Sequence, residues 1–210
     1  MHTYTSKTKV SDFKLYNLRI KSVNLKWCNQ VLRLIDKFDE KNILDIGCCY
    51  FQLYKEIKKR KKKYQYFGID IDKKFIKLGL KYFPELKRSY KICNFEKIKM
   101  NKKFDCSVIS ATLEHVDDPK KFMNNVFSCS KKIIILRTFF GSKEEFKLCE
   151  NESGNFVNNN QFSLKKMKLE FNKKGFKVKV IKDLATKKGK KLFFKGGSLN
   201  RKFMVLVGIK

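Results

Sequence analysis

Hydrophobic positions along the chain follow two periods, one helical and one that reads as buried strand. From about Ser22 to Phe38, the residues Val23, Trp27, Val31, Leu34, Ile35 and Phe38 recur at helical spacing. This predicts an amphipathic helix behind a loose amino-terminal lead-in. NILDIG, from Asn42 to Gly47, is a short apolar run closed by glycine, the signature of a strand covered on both faces of a parallel sheet. CYFQLYKEIKKRKKK then reads as a helix and YQYFGIDID as a second strand ending at an acidic residue. The alternation continues with KKFIKLGLKYF, a helix stopped by Pro84, then RSYKICNF and KFDCSVISA as strands. DPKKFMNNVFSCS follows as a helix and KKIIILRTF as a fifth strand. Residues 141–162 are polar and asparagine-rich, which predicts an insertion after strand five. SLKKMKLEFNKKGFKVKVIKDL resumes as helix, Gly175 cap and strand. KKLFFK and RKFMVLVGIK flank Gly196 and Gly197, and hairpin pairing between them predicts an antiparallel strand at the sheet's edge.

Strands alternating with helices imply right-handed crossovers and a mostly parallel sheet with both faces covered. The expected class is α/β, a doubly wound, seven-stranded sheet with an antiparallel edge strand. A chain of 210 residues suits one domain over 1–210, with residues 1–40 as lead-in and first helix.

Composition narrows the partners. No run approaches the roughly 20 apolar residues of a membrane span, so a soluble, cytoplasmic protein is expected. Seven cysteines occur without a C-x-x-C pair and with only two histidines in the chain. They read as buried thiols, with no metal site. The formal charge of +30 would attract any polyanion. Only six of the 50 basic residues are arginine, the better fork for phosphate and bases, so a compositional bias toward lysine is the simpler reading.

In a doubly wound sheet, ligands bind beyond the carboxyl ends of the strands where strand order reverses. The candidates after strand one are Asp45, Gly47, Cys48, Cys49, Tyr50 and Phe51. After strand two comes Asp70, 23 residues beyond Gly47, close to the roughly 20-residue offset at which a carboxylate meets ribose hydroxyls. Two carboxylates suit a ligand with a ribose and a positive charge. Without the later glycines of G-x-G-x-x-G, a pyrophosphate could not approach the backbone closely, which disfavours a nicotinamide dinucleotide.

Taken together, ILDIGC, YFGIDID, YKICNFEKI, KFDCSVISATLEHVDDPKKF and FNKKGFKV resemble, in order, the motifs of the class I S-adenosylmethionine-dependent methyltransferases, in the group whose fourth motif reads LEH. The resemblance spans roughly Asn42 to Phe176. It implies S-adenosylmethionine as cofactor, with Asp45, Gly47 and the 48–51 loop bordering its methionine half and Asp70 on its ribose diol. It further implies Ile71 beside the adenine, Asn94 and Phe95 at the adenine's amino edge and face, and Ser110 and Thr112 near the sulfonium. Cys49 and Phe51 stand where the family carries glycines, and Asn94 where it carries aspartate. The Phe51 ring is expected to crowd or cover the cofactor's tail, which keeps open a cofactor-free binding module with this fold. With Pro84 and Pro119 the only prolines, the Asn-Pro and Pro-Cys pairs of base methylation are excluded. A small-molecule or glycan acceptor is favoured, with RNA or another polyanion as the alternative through basic stretches such as Lys58 to Lys63. His115 is a candidate base for the acceptor's proton. The other reading of Glu114 and His115 is that they brace the loop.

Overall fold

Crossover helices are what force the strands into parallel pairing, and the chain supplies them in turn. The computed structural model describes Ile20 and residues 25–38, 42–150, 156–186, 190–194 and 197–210. The predicted lead-in apart from Ile20, the start of the first predicted helix, residues 151–155 of the insertion and Gly196 lie outside the described residues. Helix α1 (Lys26–Asp36) precedes β1 (Asn42–Ile46); α2 (Gln52–Lys59) and β2 (Gln65–Asp70) follow, then α3 (Lys73–Tyr82) and β3 (Tyr90–Ile92). After β4 (Phe104–Ser110) come α4 (Pro119–Cys129) and a long β5 (Ser130–Gly141). Helix starts follow from the sequence: Asp72 accepts from the Lys74 amide and Asp118 from the Lys121 amide, with Pro119 in the first turn of α4.

Beyond β5 lie β6 (Leu148–Glu150), β7 (Phe156–Asn158), β8 (Phe162–Ser163), α5 (Leu164–Lys173), β9 (Lys177–Lys182), β10 (Lys190–Phe194), β11 (Gly197–Arg201) and β12 (Phe203–Ile209). The principal sheet runs β3-β2-β1-β4-β5-β12-β9, with β8 joined to the end of β5. Strands β1 to β5 are parallel neighbours, and strand order reverses between β1 and β4.

Both faces of this sheet are covered, which is why its central strands are apolar without alternation. In β5, Ile134 and Leu136 enter a core with Phe122 and Val126 of α4 and Phe171 of α5. Ile133 and Ile135 enter a second core with Leu32 and Ile35 of α1, Leu53 of α2 and Ile76 of α3. Each such side chain contributes roughly 1.5–3 kcal/mol on burial.

The expected antiparallel element is present on the β5 side of the sheet, but it forms by a different pairing. β10 and β11 make a separate two-stranded ribbon with Lys190 opposite Arg201. β12 enters between β5 and β9, antiparallel to both. The reason is burial: Val205 and Val207 belong to one core and Leu206 to the other. A strand apolar on both faces needs both layers over it, and the place between β5 and β9 supplies them. The asparagine-rich insertion is also structured, with β6 and β7 paired antiparallel and Glu145 bridged to Gln161.

Candidate functional site

The turn after β1 is built around one glycine and a carboxylate from the neighbouring strand. Gly47 has φ +77°, and a Cβ there would lie 2.0 Å from Thr112 Oγ1, so no larger residue fits. The Gly47 and Cys48 amides both donate to the Ile69 carbonyl at 2.8 and 3.0 Å. The Cys49 amide donates to Asp70 Oδ2 at 2.7 Å, and the Asp72 amide donates to Asp70 Oδ1 at 2.8 Å. Asp70 therefore ties the two loops together while lone pairs on both its oxygens stay available. Burial raises its pKa, against these backbone hydrogen bonds. Asp45 is only 2% exposed, and Tyr66 donates its hydroxyl to Asp45 Oδ2 at 2.7 Å. Burial pushes the Asp45 carboxyl up to about 7; the Tyr66 bond opposes this and the nearby Asp70 charge adds to it.

Three non-glycine residues at this edge hold left-handed backbone: Cys49 (φ 53°), Phe51 (φ 64°) and Ala111 (φ 56°). Such conformations cost of order 1 kcal/mol or more each and persist where surroundings enforce them. Phe51 shows the enforcement. Its ring is fully buried in the core beneath α1, edge-on to Tyr66, and the expectation that it crowds the cofactor's tail is corrected. Room for it comes from two missing side chains: a Cβ on Gly79 would meet the ring at 2.5 Å and one on Gly68 at 3.1 Å. Cys48 is buried in the same core, and Tyr50 packs with Ile20 and Leu78. Residues 48–51 thus turn backbone, with the partly exposed Cys49 side chain, toward the crevice.

The remaining predicted residues divide in the same way. Ile71 is 44% exposed at the end of β2. Asn94 caps the short helical turn Phe95–Lys97, its Oδ1 accepting from the Glu96 amide at 2.9 Å. Phe95 packs its ring on Phe122 at 5.3 Å in the core. Ser110 ends β4 with its hydroxyl 3.5 Å from Arg137 Nη1, and Thr112 Oγ1 donates at 3.3 Å to the carbonyls of Ile46 and Ser110. Asp45, Gly47, Cys49, Asp70, Ser110 and Thr112 thereby stand along one edge of β1, β2 and β4.

The LEH turn, Leu113–His115, couples that edge to the insertion. Leu113 is in the core, and buried Glu114 accepts from Thr138 Oγ1 at 2.8 Å. His115 Nδ1 lies 2.7 Å from the Asn158 carbonyl. A carbonyl can only accept, so Nδ1 carries the proton and a neutral ring keeps its acceptor on Nε2. The Asn158 and Asn160 side-chain amides donate to the Val116 carbonyl, and the Asn160 amide donates to the Glu114 carbonyl. Sequence reasoning missed Asn158 and Asn160, whose only signal was the polar cluster VNNNQ itself, and Thr138, one polar residue within the apolar run of β5. It also missed the buried pair Arg137–Asp183, bonded at 2.9 and 3.1 Å with the guanidinium 4.0 Å from the Phe203 ring centre.

Residues 44–133 match a family model described as a methyltransferase domain. Over 96% of this chain and 99% of that one, the structure is similar to an S-adenosylmethionine-dependent methyltransferase from Clostridium acetobutylicum ATCC 824, at 10% identity and TM-score 0.66. The chain has the class I S-adenosylmethionine-dependent methyltransferase fold. Magnesium protoporphyrin IX methyltransferase from Synechocystis PCC 6803, solved with bound SAM, is 12% identical with TM-score 0.62, covering 96% of this chain and 92% of that one. The N-terminal domain of EvdMO1, solved in the presence of SAH and D-fucose, is 14% identical with TM-score 0.64, covering 90% and 84%. No curated protein sequence matches the chain.

Proposed function

We propose that the protein transfers a methyl group from S-adenosylmethionine to a small-molecule or glycan acceptor. The observation that carries this reading is the convergence of Asp45 and Asp70 on the Gly47 turn at the reversal point of a methyltransferase fold. The residues fit the cofactor. Asp70, already held by two backbone amides, accepts the ribose diol, and Asp45 supplies the negative charge facing the cofactor's cationic half. Asn94 retains a lone pair on Oδ1 for the adenine amino group. Phe51 lies in the core, so the observation that favoured a cofactor-free module is gone. The cofactor, when bound, supplies an electrophilic methyl on sulfur. The chain's own contribution is then alignment of the acceptor, with His115 Nε2 as the group facing its proton or simply as a brace.

The test is calorimetric titration with S-adenosylmethionine and its demethylated product. Hydrogen bonds from hydroxyls to a carboxylate are worth about 1.5–3 kcal/mol each, so Asp70→Ala should weaken binding about tenfold or more. Unchanged affinity in a folded Asp70→Ala variant refutes the assignment. An RNA acceptor is the second reading, favoured by exposed lysines between Lys58 and Lys63 and the charge of +30. Methyl incorporation into purified RNA that survives above physiological salt, and is lost when these lysines are neutralised, would establish it instead.

A further inference from the structure

At the amino ends of β1 and β2, opposite the Gly47 turn, lies a cavity of about 410 Å³, within the size range of small-molecule sites. β1 has five residues, each rising about 3.3 Å, so a strand length of roughly 15 Å separates the cavity from the cofactor crevice. None of the proposed cofactor contacts lines it. Asn42 and Gln65, the first residues of their strands and partners in register, bring it carboxamides that can both donate and accept. Tyr64, where the basic run Lys58 to Lys63 gives way to β2, brings a ring half-buried against the core under α1. Arg88 and Lys102 bring cations from the segments before β3 and β4.

The carboxylates around the cavity are already matched. Glu85, the one on its wall, accepts from the Tyr54 hydroxyl at 3.1 Å and from the Lys58 ammonium at 2.6 Å. Asp36 accepts from the Tyr64 hydroxyl and lies 3.1 Å from Lys62 Nζ and 3.8 Å from Arg60 Nη1. Lys58 and Lys59 in the last turn of α2 also offset the negative end of that helix, an ordinary structural duty. Arg88 has no such match. It is exposed and meets no carboxylate or hydrogen-bond partner among the described residues, and Lys102 has the Phe104 ring centre at 5.2 Å. Exposed cations alone hold an anion weakly because solvent and salt screen them. Here they line one space with a ring and two carboxamides. A tyrosine ring stacks on a nucleobase, a carboxamide meets a base edge, and a guanidinium fork meets phosphate.

We propose that this cavity binds a nucleotide: its base stacks on Tyr64 with an edge toward Asn42 and Gln65, and its phosphate lies at Arg88 and Lys102. The ligand is a free nucleotide or one unit of a single RNA strand that continues along the exposed Lys61 and Lys63. The site stands apart from the cofactor crevice and does not rest on the methyl-transfer reading.

The experiment is calorimetric titration of the full chain, at about 0.15 M salt, with uridine 5′-monophosphate, uridine, ribose 5-phosphate and hexauridylate. A pyrimidine keeps the probes from imitating the adenine of the cofactor. One saturable site for uridine monophosphate is expected, with uridine and ribose phosphate each at least tenfold weaker. Hexauridylate binding at least tenfold tighter than the mononucleotide identifies the RNA strand as the source, and anything less identifies the free nucleotide. Arg88→Gln should weaken uridine monophosphate at least fivefold and leave uridine unchanged, whereas Tyr64→Ala should weaken both at least fivefold. Arg88 is exposed and without partners, so its variant keeps the test valid even where Tyr64→Ala fails to fold. Lys165→Gln with Lys168→Gln, a loss of charge on the exposed face of α5, should change affinity less than twofold. Absence of a saturable mononucleotide site, uridine or ribose phosphate binding as tightly as the nucleotide, full nucleotide affinity in Arg88→Gln or in a folded Tyr64→Ala, or an equal loss in the α5 control would each overturn the proposal. Displacement of the nucleotide by S-adenosylmethionine would overturn it too, because it would put the nucleotide in the crevice.

Discussion

Replacing Asp45 by asparagine should make the protein more stable at pH 8 and leave it nearly unchanged at pH 4. The carboxyl is almost fully buried, and burial is the largest cause of its rise from the ordinary 3.8 to about 7. Below the ordinary value both folded and unfolded chains hold the proton, and the burial costs nothing through ionisation. Between about pH 4 and 7 the unfolded chain releases the proton while the folded chain keeps it, so stability falls as pH rises and the loss levels off above 7. At about 1.4 kcal/mol per pH unit the full loss is roughly 4 kcal/mol. Asparagine keeps an oxygen for the Tyr66 hydroxyl and has nothing to ionise. Urea unfolding of both proteins at intervals from pH 4 to 8 measures the difference directly. The stability gap should open with pH toward 2–4 kcal/mol, about the size that the linkage relation gives. A gap of constant size across the range would refute the account, because a mere packing change carries no pH dependence. The same variant should lose the pH dependence of S-adenosylmethionine affinity between pH 6 and 8, since a cationic ligand favours the ionised carboxylate.

Three further outcomes follow from the geometry. Phe51→Ala should destabilise the fold by about 3–5 kcal/mol, since it empties the socket between Gly68 and Gly79; chemical denaturation checks this, and a loss under about 1 kcal/mol would contradict the packing. Ala111→Gly should stabilise by about 1 kcal/mol, because it removes a left-handed Cβ; a melting temperature lowered by the change would contradict that account. For His115→Asn, a base should show as a rate loss of about a hundredfold or more and the disappearance of the acid limb of the pH–rate profile; a loss under about tenfold with the profile unchanged leaves His115 as the brace of the insertion through Asn158.

What the sequence disclosed and what it concealed divide along one physical line. The strand cores could be read because local burial writes itself into local composition: Ile133 to Leu136 serve two hydrophobic layers at once, and only an uninterrupted apolar run does that. The placement of Asp45, Gly47 and Asp70 at the ends of β1 and β2 could be read because one short loop and one crossover fix their offset. Phe51 could not, because its tolerance depends on Gly68 and Gly79, residues of a strand and a helix that meet it only in the folded chain. The left-handed backbone that a glycine would supply freely at 49 and 51 is enforced here by the buried ring and by Asp70 holding the Cys49 amide. The carboxyl-terminal pairing was misread for the converse reason. The two glycines at 196 and 197 advertise a local hairpin, and the hairpin forms, but between β10 and β11. The pairing of β12 is decided instead by two cores far away in sequence. The asparagines of VNNNQ were the hardest of all, since an amide that latches a histidine turn and one that faces water have the same composition. Their role exists only because Glu114 and His115 arrive beside them from 43 to 46 residues upstream. The same holds for Arg201, which in the sequence is one basic residue among 50. Folding removes it from water, gives it one carboxylate and leaves two of its nitrogens without acceptors among the described residues. Burial, rather than charge, is what sets Arg201 apart in a chain this basic.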